Sequence, residues 1–134
     1  MIGSIKGKII YKTEKFILVE AGGVGYKIWT TVDILNNLSK NKTDQDILFF
    51  THMHVREDAL DLYGFLNYEE LEFFTMLINV SGIGPKGALT ILSVANIETL
   101  KKAIKTNDLA YLNKISGIGK KTAKKRRGRD RRGA

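Results

Sequence analysis

Two segments of this 134-residue chain concentrate residue types able to hold an anion. Leu77-Ile78-Asn79-Val80-Ser81-Gly82-Ile83-Gly84-Pro85-Lys86-Gly87-Ala88 recurs 35 residues later as Leu112-Asn113-Lys114-Ile115-Ser116-Gly117-Ile118-Gly119-Lys120-Lys121-Thr122-Ala123. Each copy reads as helix, Ser-Gly-Ile-Gly turn, helix. Glycine permits a tight turn and a close backbone approach that a Cβ obstructs. The turn amides, with the free N–H groups that open the next helix, form a cradle for a phosphate. Ile83 and Ile118 plug each turn into the core between its helices. This is the helix-hairpin-helix pattern, which holds sugar-phosphate backbone and carries no base readout.

Two other readings of the same residues are weaker. A glycine turn between helices can serve packing alone, but a tandem copy is more than packing asks for. Gly82-Ile83-Gly84-Pro85-Lys86-Gly87 also spells G-x-G-x-x-G, the dinucleotide fingerprint. That fingerprint follows a strand inside a βαβ unit. Here a helical pattern precedes it, and the second copy puts Thr122 where the last glycine belongs.

The remaining chemistry-bearing groups lead to no catalytic site. Glu57 and Asp58 are adjacent carboxylates, and neighbours on a strand point to opposite faces, so they share no substrate. The bland reading is a solvated loop at a strand end. His52 and His54 share one strand face without a third ligand, whereas zinc needs three or four. The chain holds no cysteine, which removes disulfides, thiol catalysis and Cys-type zinc sites. No P-loop occurs, and no cofactor is expected. Lys121 stands where some repair glycosylases carry a catalytic lysine, but those enzymes also need a downstream carboxylate and a base pocket between two helical domains. After Lys121 the chain offers only Asp130, within a basic run.

The elements that position these residues fall into two halves. Ile5, Gly7, Ile9 and Tyr11 alternate with Lys6, Lys8 and Ile10, the period of a half-buried strand. Phe16–Glu20, Val24–Thr30, Ile47–Val55 and Ala59–Phe65 give four more strands, with a short helical turn over 33–38 and a polar loop over Asn36–Asp46. Five short strands in about 65 residues predict a small closed barrel, with the OB-fold the leading candidate. From Asn67 the period turns helical. Asn67 and Glu70 form a capping box before Tyr68–Asn79, with Leu71, Phe74, Leu77 and Ile78 on one face. Pro85–Val94, Ile97–Lys105, Asp108–Lys114 and a segment from Lys120 follow, with Asn96 and Asn107 as N-caps. Tyr68, Phe73, Phe74 and Tyr111 read as helix core rather than base-stacking platforms. The fold class is therefore α+β and multidomain: an OB-fold β-barrel over 1–65, then an all-α tandem helix-hairpin-helix domain over 66–123.

The net charge of +8 resides in one place. Lys120–Ala134 holds nine Lys or Arg against Asp130, while residues 1–119 balance thirteen basic against thirteen acidic side chains. Residues 124–134 read as a basic, disordered tail. A generic nucleic-acid binder working through that tail is the alternative function. No apolar run is long enough for a membrane helix and Met1–Lys6 is no signal peptide, so a cytoplasmic protein without a membrane partner is expected.

Met1-Ile2-Gly3, Gly22-Gly23-Val24-Gly25-Tyr26, His54-Val55-Arg56-Glu57-Asp58-Ala59, Leu62-Tyr63-Gly64-Phe65 and the two hairpins resemble the RuvA family of Holliday junction branch migration subunits. The resemblance runs in order through residues 1–123. It implies a non-enzymatic, structure-specific and sequence-independent binder of four-way junction DNA, assembled as a homotetramer, acting in recombination and repair. It also implies two partners, the ATPase RuvB and the resolvase RuvC. Carried onto this chain, Ser81, Gly82, Gly84 and Lys86, with Ser116, Gly117, Gly119, Lys120, Lys121 and Thr122, hold phosphates. Glu57 and Asp58 form an acidic pin at the junction centre. After Ala123 the sequence departs: the family continues into an apolar helix face and a third domain that contacts the ATPase. The counterparts here of Leu89, Ile91 and Leu92 are Lys124, Arg126 and Arg127. That change reads as a shifted frame or truncated copy, with the third domain absent and ATPase coupling lost.

Overall fold

The computed structural model describes residues 1–40, 45–80 and 82–115, which fall into two compact units divided between Thr75 and Met76. The first unit is built on five strands: β1 (Ser4–Lys12), β2 (Phe16–Ala21), β3 (Val24–Trp29), β4 (Ile47–Arg56) and β5 (Ala59–Phe65). They close into a barrel in the order β1-β2-β3-β5-β4, with β1 completing the ring against β4. All pairings are antiparallel except β3 with β5, where Ile28 lies opposite Leu62 and Trp29 opposite Tyr63. Closure removes the exposed sheet edge that a small sheet otherwise presents to other chains.

The inward residues follow the period-2 pattern. Ile5, Ile17, Val19, Ile28, Phe49, Tyr63 and Phe65 are all buried. Tyr11 departs from its expected inward place and is 59% exposed. The cause is a β-bulge: Ile9 pairs with Val19 and Tyr11 with Leu18, leaving Ile10 as an extra residue. One added residue rotates everything after it to the other face. Two glycines make the narrow barrel possible. A Cβ on Gly7 would collide with the Glu20 carbonyl oxygen, and one on Gly64 would sit 2.5 Å from Ile28 Cγ2.

Between β3 and β4 the chain forms a full helix, α1 (Val32–Lys40), rather than the short turn and long loop expected. Its start is fixed by Thr31, whose Oγ1 accepts the Ile34 N–H at 3.2 Å. Ile34 and Leu35 bury its apolar side. The next helix, α2 (Tyr68–Ile78), opens on the predicted box. Asn67 Oδ1 accepts the Glu70 N–H at 2.8 Å, and Asn67 Nδ2 donates back to Glu70 Oε1 at 2.6 Å. The return bond thus uses the Asn67 amide group where a serine cap uses backbone. Phe74 is fully buried, its ring 5.1 Å from those of Tyr63 and Phe65. Tyr68 is not core: it is 56% exposed and meets the Phe50 ring edge-on.

The second unit contains α3 (Pro85–Val94), α4 (Ile97–Lys105) and a helical stretch over 109–115. Leu77, Ile83, Ala88, Ile91, Leu100, Ala103 and Leu112 are its buried apolar residues. Leu77 and Leu112, equivalent in the sequence repeat, are both closed to solvent. Asn96 caps α4 as expected, accepting the Thr99 N–H at 2.7 Å. The 109–115 stretch is capped one residue later than expected. Asn107 takes a left-handed φ of 55°, and Asp108 Oδ1 accepts the Tyr111 N–H at 3.1 Å. Asparagine tolerates that backbone well, so Asn107 ends α4's turn while Asp108 opens the next helix.

Candidate nucleic-acid interface

The first repeat lies within the second unit, and its local geometry follows from its residue types. The end of α2 tightens, with the Asn79 N–H donating to the Met76 carbonyl at 3.3 Å and Val80 N–H to Leu77 at 3.0 Å. The chain then turns through Gly82 at φ +86°, a backbone that residues with a Cβ rarely adopt. Ile83 is 5% exposed and anchors the turn, its N–H donating to the Val80 carbonyl at 3.1 Å. Asn113 closes the turn from the other side: its Oδ1 is 3.0 Å from where a Cβ on Gly82 would stand. That contact has no signal in the residue pattern, where Asn113 is only a polar helix position.

Gly84 is the N-cap of α3 and has no side chain to cap it, and Pro85 at N1 has no N–H. The helix therefore begins without a side-chain acceptor for its first amides, and an approaching anion is the natural acceptor. Lys86 is exposed at that same helix start, adding a mobile positive charge. Of the expected phosphate contacts, Gly82, Gly84 and Lys86 are thus gathered at one turn. Ser81, Ser116, Gly117, Gly119, Lys120, Lys121 and Thr122 lie outside the described residues, as does the segment from Lys120.

The acidic pair occupies a different place, in the barrel unit. Glu57 and Asp58 are the two turn residues of the β4–β5 hairpin, closed by the Arg56–Ala59 pair. They are not strand neighbours on opposite faces; both sit exposed at the hairpin tip. Neither has a positive φ, so the turn is not of the primed kind made by Gly22 and Gly23, at +59° and +83°, between β2 and β3. Arg56, which precedes the pair in the chain, instead meets another carboxylate, its Nη2 lying 3.4 Å from Asp61 Oδ2. Among the described residues Glu57 and Asp58 form no ion pair, and the tip presents both charges.

His52 and His54 point from one face of β4, their rings 6.1 Å apart. His52 packs edge-on against Phe74 at 5.8 Å and His54 against Tyr63 at 6.3 Å. Among the described residues no group of three His, Cys, Asp or Glu is placed to hold a metal. Burial, and secondarily the neighbouring His54, lower the His52 pKa from 6.5. In the unfolded chain the ring titrates near that ordinary value, so between the two pKa values the unfolded state binds more protons. His52 therefore contributes stability that is complete above about pH 6.5 and is lost as pH falls toward its folded pKa. Glu70 works the other way just above pH 4.5, because burial raises its pKa despite the Asn67 hydrogen bond. Urea midpoints at pH 7.5 and 5.5 are expected to show a less stable barrel at 5.5. His52→Gln is expected to shrink that difference.

Comparison with known proteins bears on both units. Residues 1–64 match the RuvA N terminal domain, and residues 74–125 match the SAM-like helix-hairpin-helix tandem. The chain is 41% identical over 125 residues to the Holliday junction branch migration complex subunit RuvA of Acetivibrio thermocellus, covering 93% of this chain and 61% of that protein. The same subunit of Exiguobacterium sp. is 44% identical over 92% of this chain and 62% of its own length. That of Bacillus velezensis is 44% identical over 92% and 59%. The chain thus spans about three fifths of these relatives. Among the described residues no helix is long and apolar enough to cross a membrane.

Proposed function

Since the chain belongs to the RuvA family, we propose that it binds four-way junction DNA as the platform subunit of a branch migration complex. The observation that carries the reading is the first hairpin turn. Gly82 at φ +86°, buried Ile83, uncapped Gly84-Pro85 and exposed Lys86 form a backbone cradle of the kind that fits a phosphate. The second hairpin repeats that sequence, and its Ser116, Gly117, Gly119, Lys120, Lys121 and Thr122 are proposed to hold phosphate in the same way. Two cradles on one subunit grip successive phosphates without reading bases. A homotetramer then presents these grips around a four-fold centre, where four arms of a junction meet.

The barrel contributes the pin. Glu57 and Asp58 bring two negative charges per subunit, hence eight per tetramer, to a crossover dense in phosphate. Like charges repel, so the pin opposes tight seating of the crossover and keeps exchanging strands apart. The ATPase RuvB and the resolvase RuvC are the partners of such a platform. No step of this function needs a cofactor or a catalytic group on this chain.

Salt and base sequence test the backbone grip. The logarithm of affinity is expected to fall linearly with that of salt concentration, by about 0.9 per phosphate neutralised. Junctions of unrelated sequence and equal geometry are expected to bind alike; a preference above roughly tenfold among them contradicts backbone reading. Replacing the pin by Glu57→Gln and Asp58→Asn together is expected to tighten junction binding and change the migration rate. Unchanged affinity and rate would reduce the pair to a solvated turn.

A further inference from the structure

The outer face of the barrel carries a second cluster that the junction reading leaves unused. On β2 and β3, Phe16 pairs with Trp29 and Leu18 with Lys27, while Ile17 and Ile28 between them point into the core. The Phe16 and Trp29 rings meet edge to face, with centroids 5.2 Å apart. Lys27 Nζ lies over both, 4.3 Å from the Phe16 centroid and 4.9 Å from that of Trp29. The bulge in β1 brings Tyr11, 59% exposed, opposite Leu18 and so onto the same face. Lys8 joins from the next row, opposite Glu20. Glu20 is the one carboxylate in these rows, and it accepts the Gly23 N–H at 3.1 Å.

Three aromatic rings with lysines between them, on a sheet face whose opposite side is the core, match one ligand chemistry. Bases stack on exposed rings irrespective of sequence, and ammonium groups follow the phosphates beside them. The strand 2–3 face of a five-stranded Greek-key barrel is a general location for such binding. The Phe16 and Trp29 rings are half-buried beneath an exposed Lys27, so the ammonium can leave them for a phosphate and a base can take its place. We propose that this face, built from Tyr11, Phe16, Lys27 and Trp29, binds unpaired single-stranded DNA. It is a nucleic-acid site separate from the hairpins, which grip duplex backbone.

Trp29 is the chain's one tryptophan, so its emission reports on this face directly. Titration of the full chain with a thymidine oligonucleotide is expected to quench that emission. Trp29→Ala is expected to weaken single-strand affinity about tenfold or more, the usual worth of one stacked base. Tyr11→Ser and Lys27→Gln alter exposed side chains that the core does not need. They are expected to weaken single-strand binding severalfold while leaving junction binding unchanged, and Lys27→Gln to reduce the salt slope by about one. Unquenched emission, or single-strand affinity untouched by Tyr11→Ser and Lys27→Gln, overturns the proposal, the latter assigning the binding to the basic C-terminal residues. A changed oligomeric state in those variants with single-strand affinity intact also overturns it and makes the face a contact between copies. Loss of junction binding in a Gly82 variant, with quenching retained, bears on the hairpin reading alone.

Discussion

Gly7→Val is expected to unfold the barrel unit. The added Cβ would run into the Glu20 carbonyl oxygen, with the Glu20 carbonyl carbon at 2.9 Å and Val19 Cγ1 at 3.0 Å. That obstacle is backbone in the neighbouring strand, so no side-chain rotation relieves it. β1 must move off β2, and β1 is also the strand that closes the ring against β4. Overpacking a core costs about 1–3 kcal/mol when the surroundings can shift, and more when they cannot. A loss of about 3 kcal/mol or more is expected here, a large share of the roughly 5–15 kcal/mol that holds an ordinary domain. Gly64→Ala supplies the control. Its Cβ meets Ile28 Cγ2 at 2.5 Å, a side-chain atom that can yield, so the expected cost is smaller, about 1–2 kcal/mol. Urea denaturation followed by far-ultraviolet circular dichroism checks both. Equal midpoints for the two variants would mean that strand spacing in this barrel is looser than the geometry implies.

The second large effect belongs to the hairpin. Gly82→Val places a β-branched side chain at φ +86°, where backbone strain alone costs about 1–3 kcal/mol. Its Cβ also arrives 3.0 Å from Asn113 Oδ1. The turn relieves both by opening, which moves the amides at the start of α3 out of the cradle. Junction affinity is expected to fall tenfold or more, since about 1.4 kcal/mol of lost contact is already a factor of ten. Circular dichroism of the barrel is expected to stay unchanged, because the substitution lies in the other unit. An affinity within twofold of the parent chain would remove the first hairpin from the interface.

Much of this architecture was legible in residue types, for identifiable reasons. All five strands lie where the sequence pattern places them, and α3 and α4 begin where Pro85 and Asn96 predict. Those signals are local, and the structure keeps them. What sequence missed depends on partners distant in the chain or on one inserted residue. Tyr11 faces outward because Ile10 is a bulge, and a bulge leaves no mark in an alternating pattern. The cap moved from Asn107 to Asp108 because both residue types cap helices, and only backbone geometry separates them. The helix α1 is longer than its sequence pattern predicts because the polar Asn36 and Asn37 blur the helical period.

The hairpin turn was the most legible feature of the site, since only glycine suits Gly82's backbone. The hairpin-tip position of Glu57 and Asp58 was less so, because nothing in two adjacent acids fixes where β4 ends. The aromatic face of Phe16, Lys27 and Trp29 was invisible for a different reason. Its members belong to two strands, and cross-strand register brings them together where chain order does not.

The central claim is that the hairpins, and not the basic run at residues 124–134, recognise the junction. It is tested most directly by comparing affinities for a four-way junction and for linear duplex of the same sequence, with and without Lys124–Ala134. Deletion is expected to weaken both affinities and flatten the salt dependence, while the preference for the junction persists. A preference that vanishes with those eleven residues contradicts it.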